Sequence, residues 1–229
     1  MNWRVRRLRR SDVEGTAALL TRAFADNPAY AFMHPRTSTR ARDLRKFFER
    51  NITWHMPVDL SWVVVDGADA PVGTDTLEPP GGIPHTRWQL VRHWVLPVLL
   101  TQGRRTLSRM QQAGFDFARL NSETAGGTSY WHVHAVAVEP KHQRSGAGTA
   151  LLNHLFAELD ALHIARPAPV VLSTQRESNL RLYSRYGFEE TGRFTIGTGE
   201  PDAFESWCMR RRDLPTIAAR AAIEEIPSS

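Results

Sequence analysis

The sequence predicts an α/β (α+β) protein built on one mixed sheet with helices on both faces. Three observations carry this. Alternating apolar segments such as "WRVRRLR" and "YWHVHAVAV" have the period of strands. Two pairs of such segments flank turn signals and read as hairpins, "SWVVVDGADAPVGTDTL" around Asp-Gly and "FEETGRFTI…AFESWCMRR" around "GTGEPD". Amphipathic helical stretches separate the other strands and read as crossovers. Hairpins and crossovers in one chain require mixed pairing, with helices covering the sheet.

The elements follow in order. Trp3–Arg9 alternates and forms the first strand. Ser11 or Asp12 caps the next helix, because Glu14 lies three residues after Ser11, and Val13, Ala17, Leu20 and Phe24 make its apolar stripe. It ends near "DNP", where Pro28 is expected to stop regular structure. A second helix runs from Thr39 to Trp54 on Leu44, Phe47 and Phe48. After the first strand pair, "EPPGGIP" (Glu78–Pro84) is expected to break all structure. A helical insertion at about 86–121 is interrupted by Pro97 and Gly103. Then come the strand Tyr130–Val138, the helix Gly148–Ile164, the short buried strand Pro169–Thr174, and a helix Glu177–Gly187 closed by Gly187 as its C′ residue. No linker forces a second domain, so residues 1–212 are expected to form one domain. Residues 213–229 are a tail, helical or disordered.

Composition narrows the class. The chain has 229 residues and is 41% hydrophobic, enough for a sizeable core. The net charge is +5 and the pI about 10.0, and the cations are nearly all arginine, with Lys46 and Lys141 the only lysines. A GC-rich coding sequence produces the same bias, and no run of five like charges or basic-aromatic interleaving points to nucleic acid. One cysteine, Cys208, excludes disulfide frameworks and zinc-finger spacing. No apolar h-region follows the basic start, and "WVLPVLL" is far too short to span a bilayer. A soluble cytoplasmic protein, with no membrane or nucleic-acid partner and no metal, is expected.

The stretch "EPKHQRSGAG" joins a strand to a helix. A helix start offers unpaired N–H groups and about half a positive charge. Glycines let the backbone close on an anion, so the loop suits a pyrophosphate. A Walker loop would need Lys after Gly148, where Thr149 stands. A dinucleotide fingerprint would need Gly at position 151, which is Leu.

Three segments in this order, "HAVAVEPKHQRSGAGTALL", "LSTQRESNLRLYSRYGF" and "SWCMRR", resemble the GNAT superfamily of acetyl-CoA-dependent N-acetyltransferases. The segments "AFADNP" and "WHVHAVAV" are similar to its bacterial puromycin N-acetyltransferase branch. The resemblance covers nearly the whole chain to about Arg212. It implies a mostly antiparallel central sheet with a cofactor gap between two splayed strands. It also implies that the backbone of Val136, Ala137 and Val138 pairs with the pantetheine arm of acetyl-CoA. Gln143, Arg144, Ser145, Gly146, Ala147, Gly148 and Thr149 would wrap the pyrophosphate. Asn179 would contact the arm, and Tyr183 would point at the thioester sulfur.

Acetyl transfer to an amine has two proton problems. The ammonium must lose a proton before it can attack, and the departing thiolate must gain one. Tyr183 suits the acid, since a phenol keeps its proton at neutral pH; Tyr186 is the competitor. His132 and His134, two residues apart on a strand, project to one face and are the base candidates, His132 leading. This pair resembles that of the arylalkylamine N-acetyltransferases. The N–H of Val138 is a candidate oxyanion donor. Asp26, Tyr30 and Trp94 are candidates for the acceptor pocket, with Phe32 and Trp54 on its walls and Trp88 on a lid. The expected function is transfer of acetyl to a primary amine of a small molecule, by a monomer or homodimer. The alternatives are acetylation of a protein N-terminus or lysine, or a CoA-binding module with little catalysis.

Overall fold

The computed structural model describes residues 3–212. The tail expected over 213–229 lies outside them. One seven-stranded sheet organises the chain, in the order β1-β2-β3-β4-β5-β7-β6. Its strands are β1 (Arg4–Arg7), β2 (Ser61–Val65), β3 (Pro71–Glu78), β4 (Trp131–Val138), β5 (Val170–Thr174), β6 (Phe188–Ile196) and β7 (Phe204–Arg211). Every pairing is antiparallel except β4 with β5, so the sheet is mixed and mostly antiparallel.

Helices cover both faces. On one face α7 (Ala147–Ala165) buries Leu151, Leu152, Leu155, Phe156 and Leu159 against Trp62, Leu77, Trp131, Val133 and Leu172. On the other, α1 (Val13–Ala23) and α3 (Arg40–His55) pack Leu19, Leu20, Leu44, Phe48 and Ile52 on Val63, Val65 and Ala137. A third cluster joins α2 (Pro28–Met33) and the insertion to β6 and β7 through Phe32, Ala113, Leu120, Ile196 and Phe204.

Four boundaries differ from the sequence expectations. Pro28 does not end structure but starts α2: it occupies the first turn, where its missing N–H costs nothing, and Asn27 Oδ1 accepts from Ala29 N at 2.9 Å. Gly103 (φ +85) breaks the insertion, but Pro97 does not. The helical run α4 (Arg87–Leu90) passes through a π turn (Val91–Val95) into α5 (Leu96–Gln102), and the wider turn accommodates the proline ring. After Gly103 comes α6 (Arg104–Thr124). The helix α8 (Ser178–Ser184) ends before Gly187, whose φ of +83 turns the chain into β6. Glu78, read as part of a breaker run, is the last residue of β3.

Much of the arginine is spent on structure. Arg109, 3% exposed, holds α6 to the β6–β7 turn through Asp202 and Glu200. Arg6 pairs with Asp12 and Asp69, and Arg22 grips Glu139 just before the glycine loop. Among the described residues no helix is long and apolar enough to cross a membrane.

Candidate active site

Two irregularities of β4 build the site. The first is its separation from β5. The two strands pair only at Trp131↔Val170 and His132↔Val171, and beyond His132 the edge of β4 facing β5 carries no ladder. Val136, Ala137 and Val138 lie along that free edge, whose unpaired backbone groups require a partner.

The second is a β-bulge. Leu77 pairs with Val133 and Thr76 with Ala135, so His134 is an extra residue in β4. Strict alternation would put residues 132, 134, 136 and 138 on one face. The bulge reverses the parity partway. His132 and His134 face α3 and α6, whereas Val136 and Val138 join the α7 cluster.

The histidines converge on a residue the sequence reading passed over. Glu78 Oε2 receives His132 Nδ1 at 2.8 Å, and Glu78 Oε1 lies 2.8 Å from His55 Nε2 and 3.4 Å from His134 Nδ1. The hydrogen bonds fix where the protons sit. His55 Nδ1 meets the Asn51 carbonyl oxygen at 2.7 Å while Nε2 meets the carboxylate. Both partners only accept, so both ring nitrogens carry hydrogen and His55 is the imidazolium of an ion pair. His132 is different. Ser173 Oγ donates to Asn121 Oδ1 at 2.8 Å, which turns the Asn121 amide nitrogen toward His132 Nε2 at 3.3 Å. His132 is thereby neutral, with hydrogen on Nδ1 and its lone pair on Nε2. His134 stacks on His55 with centroids 4.6 Å apart, and Asn51 Nδ2 approaches its Nε2 at 3.2 Å.

The cluster is recessed but wet, with side-chain exposures of 14% for His132, 24% for Glu78 and 27% for His134, against 2% for His55. Burial alone would raise the Glu78 carboxyl, but the three surrounding histidines outweigh it and hold it well below the usual carboxylate range. Burial pushes the His134 imidazole down to about 3.

On the α7 face of the sheet, in the cluster against which Val136 and Val138 pack, lies Tyr183 of α8 (Ser178–Ser184). It is 8% exposed, and burial, with a smaller contribution from Asp75, pushes its phenol up to about 12. The Tyr186 hydroxyl is engaged elsewhere, donating to Asn153 Oδ1 of α7 at 3.0 Å. Asn179 donates to Thr174 Oγ1 at 2.9 Å, tying α8 to the end of β5.

The glycine loop is shaped before any anion arrives. Gly146 sits at φ +90 and Arg144 at φ +62, so the chain folds back and α7 begins at Ala147. Gly146 O accepts Ala150 N, and the N–H groups of Ala147, Gly148 and Thr149 point out of the helix start with no intrahelical acceptor. Gln143 Nε2 donates to Val138 O at 3.3 Å, and Gln143, Arg144, Ser145 and Gly146 are exposed. Trp3 holds the loop from outside: its indole N–H donates to Ser145 O at 2.9 Å, and its ring lies 3.8 Å from where a Cβ on Gly146 would stand.

The candidate acceptor residues are not gathered around the histidines. Asp26 is exposed in the turn before α2. The ring of Tyr30 packs among Phe24, Phe47 and Phe48, and Trp94 packs on Phe47 and Trp54. Phe32 is a buried core side chain and Trp88 is 65% exposed. A cavity of about 340 Å³ between Trp54, Ile83, His85 and His93, and a groove of about 660 Å³ along Arg181 and Arg185, both stop short of Glu78 and Tyr183.

Residues 108–190, from within α6 to the start of β6, match the family model of the acetyltransferase (GNAT) domain. Solved structures match nearly the whole chain. One from Corynebacterium glutamicum, a histone acetyltransferase HPA2 and related acetyltransferase, is 21% identical with a TM-score of 0.66, covering 95% of this chain and 100% of that one. A mosquito arylalkylamine N-acetyltransferase like 5b is 14% identical with a TM-score of 0.61, covering 93% and 100%. An agmatine N-acetyltransferase mutant in apo form is 15% identical with a TM-score of 0.59, covering 92% and 100%. What this chain shares with them at these identities is the fold.

Proposed function

We propose that this protein transfers the acetyl group of acetyl-CoA to a primary amine of a small molecule by direct attack. The observation that carries the reading is the opening of β4 from β5 just after His132, with Tyr183 on the α7 face of the sheet and the Glu78 cluster on the other. The GNAT match over residues 108–190 covers that opening and supplies the donor class. The open edge at Val136–Val138 fits an extended amide-bearing arm, which would pair as an added strand does. The N–H groups at the start of α7 fit its pyrophosphate, and Arg144 and Gln143 add donors at the rim.

The amine loses its proton to Nε2 of His132, directly or through one water. The Asn121 contact at that atom is long, 3.3 Å, and is given up at small cost. Glu78 holds the His132 ring with hydrogen on Nδ1 and stabilises the imidazolium that forms, as the carboxylate of a catalytic triad does. His134 stays neutral, because burial holds it near 3, and assists by packing between His55 and the recess. On the α7 face, Tyr183 keeps its proton at neutral pH and delivers it to the leaving sulfur. The mosquito enzyme and the agmatine enzyme among the structural neighbours carry amine names, and this supports a small-amine acceptor here. The segments "AFADNP" and "WHVHAVAV" favour the puromycin N-acetyltransferase type within that class.

An amine panel with acetyl-CoA, read by release of free thiol, tests the proposal. Amine-dependent thiol release is expected. Tight acetyl-CoA binding with no release on any amine would instead mark a binding module. Within the panel, a pH–rate profile unchanged in both His132→Ala and His134→Ala would remove the histidines from the reaction.

A further inference from the structure

The same cluster has the donor set of a transition-metal site. His55 Nε2, a Glu78 oxygen and His134 Nδ1 lie within 4.8 Å of one another, with His132 Nδ1 bonded to the second Glu78 oxygen. Two imidazoles and a carboxylate suit Zn²⁺, which takes such ligands at about 2.0–2.2 Å and tolerates an open fourth position. The far nitrogens are already braced, as ligating histidines require: His55 Nδ1 donates to the Asn51 carbonyl, and His134 Nε2 faces the Asn51 amide. Flipping that amide turns its oxygen toward His134 and provides an acceptor for the hydrogen His134 Nε2 carries once Nδ1 is bound. The recess is open to solvent at Glu78 and His134, so an ion has a way in.

We propose that His55, Glu78 and His134 form a reversible Zn²⁺ site, and that the ion switches the transferase off. The ion replaces the hydrogen between His55 Nε2 and Glu78 Oε1, while the hydrogen of His134 moves from Nδ1 to Nε2. One proton passes to solvent, and two N–M bonds and one O–M bond form. No electron moves. The bound ion draws off the Glu78 charge that His132 needs when it takes the proton of the amine. The inhibitory half of this proposal rests on the acetyltransferase reading; the binding half does not.

The experiment titrates the whole chain with ZnCl₂ by calorimetry in two buffers of different ionisation enthalpy, and with CoCl₂ by visible absorption. Expected are one ion per chain, release of about one proton, and the intense d–d bands of a tetrahedral N/O site. His55→Gln and Glu78→Gln should each weaken binding by at least about tenfold. Thermal melts identify any variant that does not fold; proton release in the wild type then stands as the test. No stoichiometric ion, no proton release, or affinity unchanged in both folded variants overturns the site. Thiol release measured with and without one equivalent of ZnCl₂ is expected to fall more than tenfold and to return with a chelator. A bound ion that leaves the rate unchanged overturns the inhibition. If the chain shows no acetyl transfer at all, the acetyltransferase reading and the inhibitory half fail together, while the binding titrations decide the site by themselves.

Discussion

Two acids, one half-buried and one fully buried, stand three residues apart on β3 and have opposite fates. Glu78, opposite His132, faces α3 and α6 and is surrounded by three histidines. Asp75, opposite Val136, faces the α7 core, is fully buried, and has no hydrogen-bond partner for either oxygen among the described residues. The same physics acts on both, since burial disfavours the carboxylate. At Glu78 the histidines overcome it, and the carboxyl is held well below its ordinary range. At Asp75 burial outweighs the Trp62 backbone and the Arg7 charge, and the carboxyl is pushed well above it. One is held as an anion among three histidines; the other is pushed toward the neutral acid, and the negative charge it carries when ionised raises the Tyr183 phenol. The contrast shows that burial by itself does not determine the charge of a side chain. The face of the strand does.

The widest predicted gap between them is in rate. Glu78→Gln removes the anion and should lower kcat by roughly 10²–10³-fold, while Asp75→Asn should change kcat only a few-fold. Steady-state kinetics on both variants tests this, and a larger loss in Asp75→Asn would reverse the assignment. Next is Tyr183→Phe, expected to lower kcat about 10²-fold at nearly unchanged KM for acetyl-CoA. Its folded stability should stay within about 1 kcal/mol, because only the hydroxyl is lost.

Stability should separate the two acids by the sign of their pH dependence. Glu78 has a depressed folded value, so its contribution is present above the ordinary carboxylate value of 4.5 and is lost as pH falls below it. His134, held near 3 against an ordinary 6.5, contributes above about pH 6.5 and loses that contribution as pH falls toward 3. Asp75 has a raised folded value, so its contribution is full below the ordinary 3.8 and is lost as pH rises. Urea midpoints from pH 4 to 9 should therefore show Asp75→Asn gaining about 1–2 kcal/mol over wild type at alkaline pH, with little gain at pH 4. Glu78→Gln should lose most at neutral pH and converge on wild type in acid. Parallel profiles for the two variants would refute the contrast.

The smallest effect belongs to the glycine loop, proposed above to hold the pyrophosphate of the donor. Arg144→Ala should raise KM for acetyl-CoA several-fold with less change in kcat. Arg144→Gly should raise KM similarly yet stabilise the fold by about 0.5–1 kcal/mol, because Arg144 sits at φ +62. Initial rates and melting temperatures together separate the phosphate role from the backbone strain.

The order of elements was legible because each rests on local pattern: the alternation of β4, the stripe of α7, the turn at Gly187. The donor-site roles proposed for Tyr183 and the glycine loop rest on the resemblance of "NLRLY" and "QRSGAG" to a known family, not on local pattern. Glu78 was hidden in "EPPGGIP". Its one visible signal was the alternation Thr74, Thr76, Glu78, which continues the polar face of β3 up to the prolines. Asn51 lies inside the helix expected over Thr39–Trp54 and His55 one residue past its end, and neither stood out; Pro28 and Pro97 read as breakers. In each case a neighbouring residue or turn outside the motif reversed the reading.

The sequence by itself determined which segments become strands and helices, where the chain turns, and that two histidines share a strand. These depend on contacts within a few residues, which periodicity records. Only the tertiary structure decided that a bulge at His134 turns those histidines away from the α7 core, that they meet Glu78 from β3 and His55 from α3, and that Asp75 is sealed under α7 with no cationic side chain bonded to it. Those outcomes depend on sheet register and helix docking between residues far apart in the chain. A shift of one residue in that register would exchange the faces of Asp75 and Glu78.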